Sequence, residues 1–128
     1  MKEMVYGYPL KEREILDSGE YNGYKYYIVS LGTHPCAYVE VPEGHICYGK
    51  CDDDAYDLDI DVHGGITFGD FGLKGVSDKF LLGWDYSHCG DYCFTMLPFF
   101  DIYEDNKKWT TKEMLEDVKS VINRLREM

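Results

Sequence analysis

The chain has 128 residues, 45% of them hydrophobic and 29% charged, with a formal net charge of −11. That length supports one domain, residues 1–128, with a core of its own. The negative balance argues against a nucleic-acid partner held through its phosphates, which needs a basic patch. No apolar run approaches the roughly 18 residues of a membrane helix.

Met1 to Gly7 offers no apolar segment of the signal-peptide kind, so a cytoplasmic location is expected. Tyr6, Tyr8 and Leu10 alternate as in an edge strand. Ile15–Tyr21 and Tyr24–Leu31 are extended segments around Asn22-Gly23, a dipeptide suited to the positive φ angles of a tight hairpin. Gly32-Thr33-His34-Pro35 ends the second, and Cys36–Val41 is a third. Pro42-Glu43-Gly44 then turns the chain and delivers His45 into a loop reaching about Ala55. The run Asp52-Asp53-Asp54 in that loop reads as a solvated face, with a cation site as the alternative.

From Asp57 to His63, Leu58, Ile60 and Val62 alternate with Asp57, Asp59, Asp61 and His63, the period of a half-buried strand. Gly64-Gly65 permits a turn or a close approach, and Ile66-Thr67-Phe68 leaves it as a short strand. A Gly-rich connection spans Gly69–Asp78. Lys79–Asp85 is apolar enough for a buried strand, and Tyr86–Asp91 is a polar loop. Residues 92–108 look irregular, with Pro98 breaking any regular element. At the C-terminus Thr110 and Glu113 form a capping box, and Trp109 and Met114 occupy the positions of a hydrophobic staple. Met114, Leu115, Val118, Val121, Ile122 and Leu125 then make an apolar stripe at helical spacing. The expected fold class is α+β: a mainly antiparallel sheet of hairpins with a C-terminal amphipathic helix packed on it.

One constellation joins His45, Asp61, His63, Asp85, His88 and Asp91. Two strand ends, 57–63 and 79–85, would each deliver an Asp and a His to a loop. Imidazoles serve as acid or base near neutral pH, and carboxylates orient them. The same groups also hydrogen-bond ribose hydroxyls or coordinate a cation. The plainer alternative is turn-capping aspartates and satisfied histidines. The 12 tyrosines suit a sheet and offer flat faces on which a base can stack.

The five cysteines are an odd number, and without a signal peptide they are expected to be reduced. Cys47 and Cys51, like Cys89 and Cys93, are spaced Cys-x3-Cys, which permits a zinc site with His45 or His88 substituting for one thiolate. The spacing is looser than the usual two intervening residues. Unpaired thiols packing as small hydrophobes are the simpler account, with no metal and no cofactor. Asp57–Phe68 does not make a calcium loop, since Val62 stands where Gly is required and Phe68 where Glu is. Neither a phosphate-binding loop nor a nucleophile elbow is present.

Four stretches recur as an ordered set: Tyr38-Val39-Glu40-Val41-Pro42-Glu43-Gly44-His45, Tyr48-Gly49-Lys50, Asp61-Val62-His63-Gly64-Gly65-Ile66-Thr67-Phe68, and Gly83-Trp84-Asp85-Tyr86-Ser87-His88-Cys89-Gly90-Asp91. Together they resemble a family of small, functionally unassigned proteins encoded by tailed bacteriophages and prophages. The resemblance covers roughly residues 37–128. The family usually has Pro where this chain has Ile46, and Ala where it has Ser87. Its pattern does not require the cysteines, which counts against zinc.

The resemblance implies a phage setting, and small accessory phage proteins often counter host defences that signal with nucleotide derivatives. On that basis the chain is expected to be a ligand-binding protein that sequesters such a signal, a cyclic dinucleotide or an ADP-ribose derivative. Asp61, Asp85, Asp91, His45, His63 and His88 would hold ribose. The Gly64-Gly65 turn would admit a phosphate, His63, Gly64, Gly65 and Thr67 would line one wall opposite Asp85, His88 and Asp91, and Tyr48, Trp84 or Tyr86 would stack on the base. The alternative is a hydrolase of the same signal, with His63, His88, Asp85 and Asp91 catalytic or holding a metal. A third reading, a protein-binding mimic of nucleic acid, has only the charge of −11 behind it. The expected partner is a small nucleotide-like ligand in the cytoplasm of an infected bacterium, with no membrane. A homo-oligomer is one way to complete such a sheet-edge site.

Overall fold

A computed structural model describes residues 1–7, 13–94 and 105–128. Its strands are β1 Glu14–Tyr21, β2 Tyr24–Ser30, β3 Pro35–Glu40, β4 Phe68–Leu73 and β5 Ser77–Asp85. A four-residue helix, α1 (Asp53–Tyr56), precedes β4, and α2 (Thr111–Glu127) closes the chain. The five strands form one sheet, every pair antiparallel, in the order β1-β2-β3-β5-β4. The architecture is the expected α+β class.

Local chemistry accounts for most of these elements. Asn22 and Gly23 both take positive φ, 49° and 88°, so β1 and β2 close on a two-residue turn. Alternation then sorts side chains between the two faces. Leu16, Ile28, Ala37, Val39, Leu82 and Trp84 lie in one core with the buried side of α2. Val29, Cys36, Tyr38 and Leu81 form a second cluster. The Thr110 hydroxyl accepts from Glu113 N–H and the Glu113 carboxylate accepts from Thr110 N–H, so the capping box is complete. Met114, Val118, Val121, Ile122 and Leu125 are fully buried. Leu115 is not among them; it is half-buried at the border of the stripe.

Two expectations are corrected. Asp57–His63 is not a strand. The side chains do alternate, with Ile60 buried, Leu58 and Val62 half-buried, and Asp57, Asp59 and Asp61 exposed. Yet the backbone bonds locally, Leu58 N–H to Ala55 O and Ile60 N–H to Leu58 O, and Arg124 of α2 donates to Asp59 O. Period-two burial arises here from a turning chain laid on the core, without a sheet partner. The connection expected over Gly69–Asp78 is taken up by β4 to Leu73 and by the start of β5 from Ser77, with only residues 74–76 turning between them. Its glycines conceal a short edge strand. The alternation at Tyr6, Tyr8 and Leu10 falls partly outside the described residues, as does Pro98.

Ile122→Ala is expected to cost about 2–5 kcal/mol in urea unfolding, and Leu115→Ala clearly less. Equal losses at the two positions would mean that α2 does not bury the face described.

Candidate functional site

The antiparallel register of β4 on β5 builds the site. Phe68 pairs with Gly83, so the residues just before β4 lie beside those just after β5. This brings His63, Gly64 and Thr67 to Asp85, His88 and Asp91 without a shared strand at 57–63. Cys36 opposite Asp85 adds the β2–β3 turn to the same end, and Trp109 adds the approach to α2.

Asp91 is the hub. Its side chain is only 3% exposed. Oδ2 accepts from His63 Nε2 at 2.7 Å and from His88 N–H at 3.0 Å, and Oδ1 accepts from Trp109 Nε1 at 2.8 Å. Burial by itself raises the pKa of this carboxyl, but hydrogen bonds from His63, His88 and Trp109 outweigh it and hold the value below the ordinary one. An ionised Asp91 requires the proton of a neutral His63 to sit on Nε2, which leaves Nδ1 as the basic nitrogen. The His63 ring stacks on Tyr86 with centroids 5.2 Å apart and planes 8° apart, and Trp109 lies against it at 4.7 Å.

His88 stands beside it, ring centroids 5.6 Å apart. His88 Nε2 is 3.3 Å from Asp85 Oδ1, an ion-pair contact, but the alignment makes no hydrogen bond and the atom is fully buried. Asp85 instead accepts from Ser87 N–H through Oδ1 and from the Thr67 hydroxyl through Oδ2, at 3.0 and 3.2 Å. Gly64 lies directly against the imidazole. A Cβ there would stand 2.0 Å from His88 Nε2, and φ is +71°. The close approach expected of Gly64 is therefore made to His88, not to a phosphate. Gly65, at φ +79°, faces open space.

The expected stacking residues are placed elsewhere. Trp84 and Tyr86 are 1% and 0% exposed, so neither offers a face to a ligand. They instead form a buried chain, Trp84 Nε1–H to Tyr86 Oη at 2.9 Å and Tyr86 O–H to Asp117 Oδ2 at 2.7 Å. Tyr48 packs on Phe71 and Phe80 at the opposite end of the sheet, lining a depression of about 490 Å³. His45 accepts from Cys47 N–H through Nδ1 and reaches Leu125 O through Nε2 at 2.7 Å, which makes it a cap for the C-terminal end of α2. Asp61 is exposed beside Glu116 and Lys119.

The four cysteines of the zinc reading do not converge. Cys47 Sγ lies 3.8 Å from Met128 Sδ past the end of α2, whereas Cys93 Sγ meets Ser87 Oγ after β5, near the start of α2. The 17 residues of α2 separate them by about 25 Å. Among the described residues no group of three or more His, Cys, Asp and Glu side chains is arranged to hold a metal.

Three residues were missed, the first being Trp109, which the sequence offered only as half of a hydrophobic staple. His34, half-buried, takes its Nδ1 to within 2.9 Å of Thr33 Oγ1. Burial lowers its pKa, against the pull of the Asp85 and Asp91 carboxylates. Only the pairing of β3 with β5 brings it here, and Thr33-His34-Pro35 reads as an ordinary strand end. Asp117 sits among polar helix positions, with nothing in sequence to tie it to Tyr86.

No known protein family matches the chain, nor does any curated protein or solved structure.

Gly64→Ala should lower stability more than Gly65→Ala, because only the first adds a clash to the roughly 1–2 kcal/mol cost of left-handed backbone. Equal melting points for the two variants would remove the contact with His88. A depressed Asp91 pKa adds stability that is complete above the ordinary aspartate value and lost as pH falls through the folded one. The melting-temperature gap between wild type and Asp91→Asn should therefore narrow below about pH 4. A gap constant down to acid pH would mean that Asp91 is not held ionised.

Proposed function

We propose that the chain is a phage-encoded binding protein that captures a nucleotide-derived immune signal, a cyclic dinucleotide or an ADP-ribose derivative, in the cytoplasm of the infected host. One observation carries the binding site: His63, Thr67, Asp85 and His88 converge on one end of the sheet, each held by a second contact yet partly exposed. Groups already ordered lose little entropy when a ligand arrives. The phage setting rests on the motif resemblance, and the signal class on the role such proteins play. With Trp84 and Tyr86 committed to the core, this end of the sheet is suited to the sugar of the ligand more than to its base.

Cleavage of the same signal is the second reading. Its support is that each imidazole has a carboxylate of its own, Asp91 for His63 and Asp85 for His88, with the rings 5.6 Å apart. One could then accept a proton as the other gives one up. No nucleic-acid partner is proposed for a chain of charge −11. Among the described residues no helix is long and apolar enough to cross a membrane.

Chromatography of candidate signals before and after heat denaturation of the protein separates the two readings. Capture returns the nucleotide intact, and cleavage returns product. A panel left undepleted would remove both. His63→Ala and His88→Ala should each weaken capture by more than about tenfold, or 1.4 kcal/mol, with a less than additive double mutant.

A further inference from the structure

We propose that Asp85 reads a vicinal diol of the ribose kind, and that the Thr67 hydroxyl holds the place of that diol until the ligand arrives. This rests on the ligand-binding reading above and narrows it to the ADP-ribose derivative, because each ribose of a cyclic dinucleotide has its 2′ or 3′ oxygen tied up in the phosphodiester and keeps no vicinal diol.

The buried His88 Nε2 makes no hydrogen bond although a carboxylate oxygen is 3.3 Å away. A buried polar atom left in that state calls for a second state in which it is satisfied. Its imidazole cannot move toward Gly64, which already lies against the ring. The Asp85 carboxylate can turn, because rotation about its last bond is soft. Two bonds oppose the turn, from Ser87 N–H and from the Thr67 hydroxyl. Thr67 is exposed, so its hydroxyl can give way without disturbing the core.

A carboxylate has about four acceptor positions, of which Asp85 fills two from within the chain. A hydroxyl pair on the ligand displaces Thr67 and turns the carboxylate. Oδ1 then comes into line with His88 Nε2–H. The electrostatics select the same class. Asp85 and Asp91 are both carboxylates, and among the described residues no Lys or Arg hydrogen-bonds to either. Neutral donors such as hydroxyls suit these two carboxylates, and the Lys107 ammonium over the Trp109 ring is itself paired with Glu113.

The test is nuclear magnetic resonance on protein labelled with ¹⁵N-histidine, His88→Gln assigning the signal. Thr67→Val, a surface change that keeps the side-chain shape, should show a protected His88 imidazole N–H in the free protein, and wild type should not. Wild type should gain that signal with excess adenosine and not with 2′,3′-dideoxyadenosine, which differs by the diol alone. Absence of the signal from Thr67→Val, or an equal response to the two nucleosides, overturns the proposal. A chain that captures no immune signal in the heat-release assay yet distinguishes the two nucleosides would sink the sponge and keep the diol reader.

Discussion

The site depends on one buried carboxylate. Asp91 accepts hydrogen bonds from three parts of the chain: His63 ahead of β4, His88 after β5 and Trp109 ahead of α2. None of these three segments is held in the sheet there. Each is a loop, and loops gain a fixed position only from contacts such as these. Burying an anion is unfavourable unless donors surround it. Three donors meet that need, and in doing so they fix where both histidines stand. An apolar residue at position 91 would fill the space without orienting anything.

The constraint extends into the core through stacked and bonded rings. His63 lies flat on Tyr86, whose hydroxyl links Trp84 on β5 to Asp117 on α2. Burial, the first cause, and the bond to Asp117 both push the Tyr86 phenol far above its usual pKa, so it stays protonated and keeps donating to Asp117. One face of His63 therefore belongs to the core, and its free nitrogen is left for chemistry or a ligand. His88 differs. It is pinned by Gly64 yet lacks a hydrogen bond at Nε2. The two imidazoles thus combine a fixed group with an unsatisfied one, at a place where the chain carries two carboxylates.

The opposite end of the molecule is built on other terms. His45, alike in sequence to the other motif histidines, spends both nitrogens on backbone groups and anchors the end of α2. Tyr48 closes an aromatic cluster with Phe71 and Phe80. The stretches at 38–50 and 61–68 therefore play different parts. Both belong to one fold, the first supporting helix and sheet and the second supplying the site.

Sequence by itself determined the elements whose causes are local. Asn22-Gly23 defined a hairpin because few other dipeptides accept its φ angles, and Thr110 with Glu113 defined where α2 begins. It also singled out His63, Asp85, His88 and Asp91, since polar groups concentrated beside apolar strands need a reason to be there. Tertiary structure decided the rest. Alternation at Asp57–His63 cannot tell a strand from a turning chain lying on a core, because both can bury every second side chain. Trp84 and Tyr86 looked available for stacking, and only packing against α2 revealed them as core. His34 joined the site through the β3–β5 register, and Asp117 through a hydrogen bond from a ring 31 residues away. Such partnerships are distances in space, and residue spacing along the chain does not encode them.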